Sequence, residues 1–356
     1  MGGGRGSSKK DAPSGKRASG AKKTASQGQK RSSHAARKQE APSLEILRVP
    51  EWEQYRWLVH GFSTRAGGVS TVYGPGESGS KRKQPCGELN LGFTATDTRE
   101  NVVRNRELFV RALLDDARRD KDGAAGKKTE KMPLRLLRQI HSGLMHRAEA
   151  RDNASCDDAE TLLQGDGWIA TEPGALLGIQ TADCIPVLVA DVRQRIVAAF
   201  HAGWRGTLAR IVERGAGRLR AEFGSRPGDL TAAIGPGIGR CCYSVGEEVR
   251  MEFRSQFGYA DELFQEVFDL DPIKEKYPML FLTARAPGHS NLGPSLHLDL
   301  IEANRRQLLD AGLAPENIHS LNLCTACDTQ RFFSHRAEQG FTGRMVSAIG
   351  IGLSSA

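Results

Sequence analysis

The sequence predicts an α+β protein built on mixed β-sheets. Two apolar runs, Ile185–Ala190 and Ile196–Ala202, flank a short polar break of the kind that closes an antiparallel hairpin. Predicted strands and helices are interspersed along the chain without the strict alternation of a doubly wound fold. Residues 44–356 contain no internal repeat and no linker, so we expect them to form one domain.

The other elements are predicted from apolar periodicity and from Gly boundaries. We predict strands at 55–62, 134–140, 230–238, 318–323 and 345–353, and helices at 98–114, 207–223, 247–257 and 296–311. His141 directly follows the strand at 134–140. A histidine is therefore expected at this strand end, near the hairpin.

The positive charge of the chain is concentrated at its start. The 356 residues carry a formal net charge of +8, and the basic excess lies in residues 1–43, which contain no Leu, Ile, Val, Phe, Trp or Tyr. Such a segment cannot bury enough apolar surface to offset the entropy of ordering, so we expect a disordered basic tail. A solvated tail is the favoured interpretation, and contact with nucleic acid is the alternative.

Cysteine usage indicates reduced thiols. The seven cysteines are an odd number, and residues 1–43 hold no apolar leader segment, so we expect a cytoplasmic protein. No stretch approaches the roughly 20 apolar residues that a membrane helix needs. We therefore expect no membrane partner.

The hairpin brings two candidate ligands together. If Ala190 pairs with Arg195, the register places Cys184 opposite His201, and residues directly opposite share a face with Cβ atoms about 4.5–5.5 Å apart. A thiol and an imidazole at this separation can share a metal ion or form a nucleophile–base pair. With His141 they make a Cys/His/His set, and three protein ligands beside an open fourth position are typical of catalytic zinc.

Three further residues are candidates for chemistry. Asp183 precedes Cys184 and could orient a ligand histidine or act as a general base, with a turn-capping carboxylate as the alternative. Arg65 and Arg205 lie in Gly-containing turns, where a guanidinium could hold a phosphate or carboxylate through two hydrogen bonds. The alternative for both arginines is an ordinary surface position.

Cys324-Thr325-Ala326-Cys327 is a single CxxC motif. A zinc ribbon needs a second such pair, and the adjacent Cys241-Cys242 does not have that spacing. We therefore interpret the motif as adjacent to the site at most.

Eight sequence blocks carry a resemblance to a known family: FSTRAGGVS, LNLG, QIHSG, DGWIAT, TADCIPVLVAD, AAFHAGWRGT, AAIGPGIGRCCYSVGEEV and LCTACDTQRFFSHRAEQGFTGRM. With them the chain resembles the YfiH-like family, also labelled multicopper polyphenol oxidase (laccase)-like, peptidoglycan editing factor and purine nucleoside phosphorylase. The resemblance implies a single-domain, four-layer α/β/β/α sandwich. It also implies one zinc ion held by His141, Cys184 and His201.

The same resemblance implies an activity. It points to zinc-dependent phosphorolysis of adenosine, inosine, guanosine or methylthioadenosine, and to hydrolytic deamination of adenosine. Arg65 is then the expected phosphate clamp and Asp183 a proton carrier. Asn90, Gln139 and Arg205 are candidates for holding the substrate. The tail 1–43, the loop at 74–86 and the charged insertion at 115–131 depart from the family pattern.

Two other enzyme classes are weighed against this one. An amide hydrolase acting on cell-wall precursors would use Cys184 as nucleophile and His201 as base. A copper polyphenol oxidase is disfavoured, because its copper centres need roughly ten His/Cys ligands. Of the nine histidines, His34 lies in the tail, and the others form no H-x-H pair.

Overall fold

A computed structural model of the chain describes residues 44–73, 87–117, 132–149, 162–268 and 294–352. The expected basic tail (1–43), the loop at 74–86 and most of the insertion at 115–131 lie outside the described residues. Within these ranges the elements are bounded as follows. The strands are β1 (Ile46–Leu47), β2 (Leu58–Ser63), β3 (Ala66–Ser70), β4 (Leu134–Arg135), β5 (Met145–Arg147), β6 (Gly167–Ala170), β7 (Leu176–Thr181), β8 (Ile185–Asp191), β9 (Ile196–Ala202), β10 (Leu230–Ile234), β11 (Ser244–Val245), β12 (Phe264–Val267), β13 (Ser295–Leu298), β14 (Ile318–Ser320) and β15 (Met345–Ile351). The helices are α1 (Arg99–Ala117), α2 (Trp204–Leu208), α3 (Ile211–Phe223), α4 (Glu247–Gln256) and α5 (Leu300–Asp310).

The strands form mixed sheets, as predicted. A five-stranded sheet has the order β1-β2-β15-β7-β4, and a six-stranded sheet has the order β14-β10-β8-β9-β6-β5. Each combines antiparallel pairs with parallel ones, such as β4 with β7 and β10 with β14. A smaller three-stranded sheet has the order β11-β13-β12.

Alternating side chains of β8 divide the core into layers. Val187 and Val189 point to the cluster that includes Ile211 and Leu300 of the helices α3 and α5. Leu188 belongs to the cluster between the two large sheets. On the far side, α1 covers the outer face of the five-stranded sheet. The layers are therefore helix, sheet, sheet and helix, and the expected α/β/β/α sandwich is confirmed.

The β8–β9 hairpin exists, but its predicted register is wrong by two residues. Asp191 pairs with Ile196, and Pro186, not Cys184, lies opposite His201. The turn has the expected four residues but lies one residue further along the chain, where the Asp191 carboxylate accepts hydrogen bonds from the N–H groups of Arg193 and Gln194. A shift of two residues keeps Cys184 on the face of His201, since side chains alternate with period two.

Two predicted helices are divided in the structure. The segment expected as one helix over 296–311 is β13 followed by α5, and Asp299 caps α5 by accepting a hydrogen bond from the N–H of Glu302 at 2.9 Å. The helix expected over 207–223 is split into α2 and α3. Arg210 adopts a left-handed conformation between them, with φ of 56°, which ends one helix and starts the next.

Among the described residues, no helix is both long enough and apolar enough to cross a membrane.

His60 on β2 is a buried histidine that stays neutral. Its Nε2 accepts a hydrogen bond from the N–H of Val49 at 3.0 Å, and its ring meets the edge of Trp52. Burial, followed by the nearby charge of Arg48, lowers the pKa of His60 from 6.5 to about 3.

We predict that His60 makes folding stability depend on pH. The pKa of His60 is lower in the folded chain than in the unfolded chain. Between pH 6.5 and about 3, His60 is therefore protonated in the unfolded chain but neutral in the folded one. Stability is lost as pH falls through this window. Denaturant titrations at pH 7 and pH 5.5 should show wild type losing about 1 kcal/mol more than His60→Gln. Equal losses in the two proteins would contradict the assignment.

Candidate functional site

The structure brings the three predicted ligands together. The ligand atoms of His141, Cys184 and His201 all lie within 4.8 Å of one another, and Cys184 Sγ is 3.8 Å from His141 Nε2. His201 lies near the end of β9, and Cys184 immediately precedes β8. His141 lies in a turn rather than at the end of a long strand, because the expected strand at 134–140 is limited to β4 and one bridge at Arg138.

A buried carboxylate, Asp166, holds two of these ligands in place. It accepts hydrogen bonds from the N–H groups of Ile140, His141 and Ser142 and from Ser142 Oγ, at 2.6–3.3 Å. Its Oδ1 is also 2.8 Å from Nδ1 of His201. Because an ionised carboxylate can only accept, Nδ1 of His201 carries the proton, and Nε2 is the atom available to a metal.

The charges of the site differ from those of free side chains. Burial alone would raise the pKa of Asp166, but hydrogen bonds from His201 and Ser142 lower it to about 2. Burial alone would lower the pKa of His201, but the Cys184 thiolate and Asp166 raise it to about 9. Burial alone would raise the pKa of Cys184, but the charge of His201 and a hydrogen bond from His141 lower it to about 6. Near neutral pH the metal-free trio is a thiolate beside an imidazolium.

Gly203 leaves room for the sulfur of Cys184. A Cβ at position 203 would lie 2.9 Å from Cys184 Sγ and 3.0 Å from Cδ2 of His141. Real Cβ atoms do not approach sulfur or carbon so closely. A side chain after β9 would therefore displace one of the ligands.

The donor set fits zinc. One thiolate and two imidazoles suit zinc or copper, and three protein ligands leave a fourth position open. A laccase needs a further cluster of histidines, and the described residues hold no such group beside this trio and a group made only of cysteines. The copper in the family's label therefore has insufficient ligands in the described part of the chain.

The trio opens into a cavity of about 630 Å³. Asp183, Gln139 and Arg205, three of the predicted site residues, line it. The cavity is rich in cations and aromatic rings, which the sequence analysis did not assign. These are Phe93, Arg106, Arg138, Trp204, Tyr243, His335, Arg336 and Arg344.

Arg65 does not line the cavity, which corrects its predicted role as the phosphate clamp. Its guanidinium is buried and forms ion pairs with Glu88 at 2.8 Å and Glu338 at 2.6 Å. It also donates to the carbonyl oxygens of Thr329 and Tyr73. A phosphate would have to displace two carboxylates to reach it, so we assign Arg65 a structural role.

Asn90 and Gln139 act on the cavity through the backbone. The buried Asn90 amide binds the N–H and carbonyl of Gly92 and accepts a hydrogen bond from the N–H of Arg344, and both partners line the cavity. Gln139 binds the N–H and carbonyl oxygen of Gln180. Asn90 itself lies outside the cavity lining. Its predicted direct contact with a substrate is therefore corrected: the side chain instead positions the backbone of two lining residues.

Asp183 does not orient a ligand histidine, since that position is held by Asp166. Its carboxylate accepts hydrogen bonds from Thr325 Oγ1 and Ser334 Oγ at 2.7 Å and from the N–H of Arg336 at 2.6 Å. Its φ of 93° is unusual for a residue other than glycine. This backbone conformation, fixed by the three hydrogen bonds, turns the chain into β8 with the carboxylate beside the cavity.

Asp166 was not among the site residues predicted from the sequence, although it lies in the DGWIAT block. An aspartate between two glycines at the start of a buried strand is the available signal. From their spacing, Cys241 and Cys242 were not expected to be partners of the CxxC motif. The structure places these four cysteines within 4.8 Å of one another, which corrects that interpretation.

The fold and the site define a class: an α/β/β/α sandwich with a His–Cys–His centre open to a cationic cavity. Residues 59–352 match the family described as multi-copper polyphenol oxidoreductase laccase, and the chain belongs to that family.

Named relatives of this chain carry enzyme names. It is 30% identical over 311 residues to purine nucleoside phosphorylase YlmD of Bacillus subtilis (strain 168), covering 86% of this chain and 94% of that protein. It is 32% identical over 218 residues to adenosine deaminase RL5 of an unknown prokaryotic organism, covering 61% of this chain and 74% of that protein. The crystal structure of YlmD from Geobacillus stearothermophilus matches with a TM-score of 0.64 and 29% identity, over 88% of this chain and 98% of that one.

We predict that Asp166→Asn weakens zinc binding by about 10- to 100-fold, because the carboxylate that fixes the His201 ring and the 140–142 turn is lost. Competition with a chelator measures the affinity. Asp191→Asn is the matched control, since Asp191 is equally buried and also accepts backbone N–H groups, but at the distal turn of the hairpin. Equal affinities in the two variants would contradict the assignment.

Proposed function

We propose that this protein is a zinc-dependent purine nucleoside phosphorylase that also deaminates adenosine hydrolytically. The observation that carries the proposal is the His141–Cys184–His201 trio, which opens into a cavity lined by several arginines. The relatives' names supply the substrate class. The proposed nucleosides are adenosine, inosine, guanosine and methylthioadenosine, and a cytoplasmic location belongs to the same proposal.

One zinc ion held by the trio would supply Lewis-acid polarisation and, at its fourth position, a water of lowered pKa. The protein's part is to align the three ligands and to fix which imidazole nitrogen would face the metal. Asp166 does this for His201 by fixing the proton on Nδ1. Metal binding then requires that the second imidazole proton leave His201, whose pKa is raised to about 9 in the metal-free chain.

Arg205 and Arg336 are the proposed phosphate ligands in place of Arg65. The guanidinium of Arg205 stacks on the ring of Trp204 at 4.3 Å, and that of Arg336 binds Ser244 and lies over Tyr243. Within the described residues neither forms an ion pair with a carboxylate. Exposed cations of this kind, fixed by aromatic stacking, are suited to hold a phosphate dianion against a nucleoside C1′.

The rings of Phe93, Trp204 and Tyr243 are the proposed walls for the purine base. Asp183 is the proposed proton carrier in deamination, since this residue lines the cavity beside Cys184. Asn90 and Gln139 position the backbone around the substrate. For each proposed role, the residue named already carries the required chemical group at or beside the cavity.

We predict that zinc content and catalysis are lost together. Purified wild type should release adenine from adenosine only when phosphate is present and should form inosine without phosphate. Cys184→Ala and His141→Ala should each lose about one zinc ion per chain and both activities. His146→Ala is the matched histidine control, because its ring binds the carbonyl oxygen of Gln164 outside the trio. A zinc-loaded wild type inert toward nucleosides would refute the function.

We predict that the arginines separate the two activities. Arg205→Gln and Arg336→Gln should each raise the KM for phosphate by about 10- to 100-fold, because a charge-assisted hydrogen bond contributes about 1.5–3 kcal/mol. Deamination of adenosine, which uses no phosphate, should change much less. Arg193→Gln, at the far turn of the hairpin, is the control. Equal losses of both activities would contradict the phosphate assignment.

A Cys–His hydrolase is the second candidate, and a specific observation favours it. The thiolate of Cys184, the imidazolium of His201 and the carboxylate of Asp166 follow one another as in a nucleophile–base–acid triad. Cell-wall precursors with a misplaced amide-linked residue are its proposed substrates. Such a hydrolase would keep its activity after removal of zinc and lose it on alkylation of Cys184, whereas the zinc enzyme requires the metal.

A further inference from the structure

Four cysteines form a compact group although the chain separates them into two pairs. The sulfur atoms of Cys241, Cys242, Cys324 and Cys327 lie within 4.8 Å of one another, and Cys327 Sγ is 3.4 Å from both Cys241 Sγ and Cys242 Sγ. A disulfide requires about 2.05 Å. Four sulfurs at about 2.3 Å from one zinc ion would stand about 3.8 Å apart. The group therefore has the size of a single tetrahedral metal site.

The backbone fixes this group in place. Gly237 and Cys324 form a parallel bridge in which the N–H of Thr325 donates to the Gly237 carbonyl at 3.0 Å. The N–H of Gly239 donates to Cys324 Sγ at 3.2 Å. A Cβ at position 239 would lie only 3.2 Å from Cys241 Sγ. The turn at Gly239 thus wraps closely around the sulfur atoms, and its amide stabilises a thiolate as it would a metal ligand.

The donor chemistry selects the ion and its role. Four sulfur donors favour zinc over the oxygen-seeking Mg²⁺ and Ca²⁺. Four protein ligands complete a tetrahedron and leave no position for substrate, which is typical of a structural rather than a catalytic site. Neighbouring thiolates repel one another unless a cation lies between them.

We propose that Cys241, Cys242, Cys324 and Cys327 bind a second zinc ion with a structural role. The ion would join the loop between β10 and β11 to the loop between β14 and β15. Tyr243, which directly follows Cys242, and Arg336 of the second loop both line the cavity. The second zinc would therefore hold together two segments of one cavity wall.

The same loops also hold Asp183. Thr325, inside the CxxC motif, donates from Oγ1 to the Asp183 carboxylate at 2.7 Å, and the N–H of Ile238 donates to the Asp183 carbonyl at 2.7 Å. The position of Asp183 beside Cys184 thus depends on the loops that the cysteines join. This inference does not rest on which reaction the His141–Cys184–His201 trio catalyses.

Metal analysis of the full chain, purified under reducing conditions without added metal, tests the proposal. Wild type should contain about two zinc ions per chain, and Cys184→Ala and the double variant Cys324→Ser/Cys327→Ser about one each. Cys156→Ser, which alters a cysteine of neither group, should keep two. A wild type with one zinc ion that Cys184→Ala abolishes would overturn the proposal.

A second measurement avoids variants of the four cysteines, which could fail to fold. In Cys184→Ala loaded with Co²⁺, the visible spectrum should show the sulfur-to-cobalt charge transfer and tetrahedral bands of four thiolates. In the zinc-loaded protein, peptides containing the four cysteines should resist alkylation and become reactive after a chelator is added. Disulfides among these peptides, an iron–sulfur chromophore, or alkylation unaffected by the chelator would overturn the proposal.

Discussion

The buried carboxylate of Asp166 is the contact on which the geometry of the site depends. Burying an anion costs several kcal/mol unless donors surround it, and here backbone amides, a hydroxyl and an imidazole do so. These donors come from the 140–142 turn and from β9, so one group sets the distance between two ligands that are remote in sequence. The proposed ligands are thereby already arranged in the metal-free chain, which would lower the reorganisation that metal binding requires.

The layered core explains why the chemistry lies at a strand end. β8 is buried on both faces, one against the helices and one against the other sheet, so its interior positions are occupied by packing. The chain reaches the cavity just before the first residue of β8, where Asp183 and Cys184 are among the lining residues. The positive φ of Asp183 bends the chain sharply at this point. Hydrogen bonds from the 325–336 segment to the Asp183 carboxylate stabilise the bend.

Local patterns in the sequence predicted the hairpin and the layer order, and they singled out the three proposed ligands that the structure brings together, because side-chain alternation and family motifs depend on short segments. The hairpin register was missed because it depends on how Asp191 caps its turn. The role of Arg65 was misassigned, since a Gly-containing turn does not reveal whether its arginine faces a cavity or Glu88 and Glu338. Asp166 and the four-cysteine group were missed because their partners are brought together only by tertiary structure.

The unequal anchoring of the three ligands has a kinetic consequence. Cys184 lies just before β8 and His201 lies in β9, two central strands of the six-stranded sheet, and strands in such positions generally open only as part of a larger cooperative unit. His141 is exposed and lies in a turn held mainly by one carboxylate. We therefore expect the proposed metal ion to leave first from His141, through a local fluctuation of this turn that leaves the sandwich folded, so that the turn rather than global unfolding sets the rate of metal exchange.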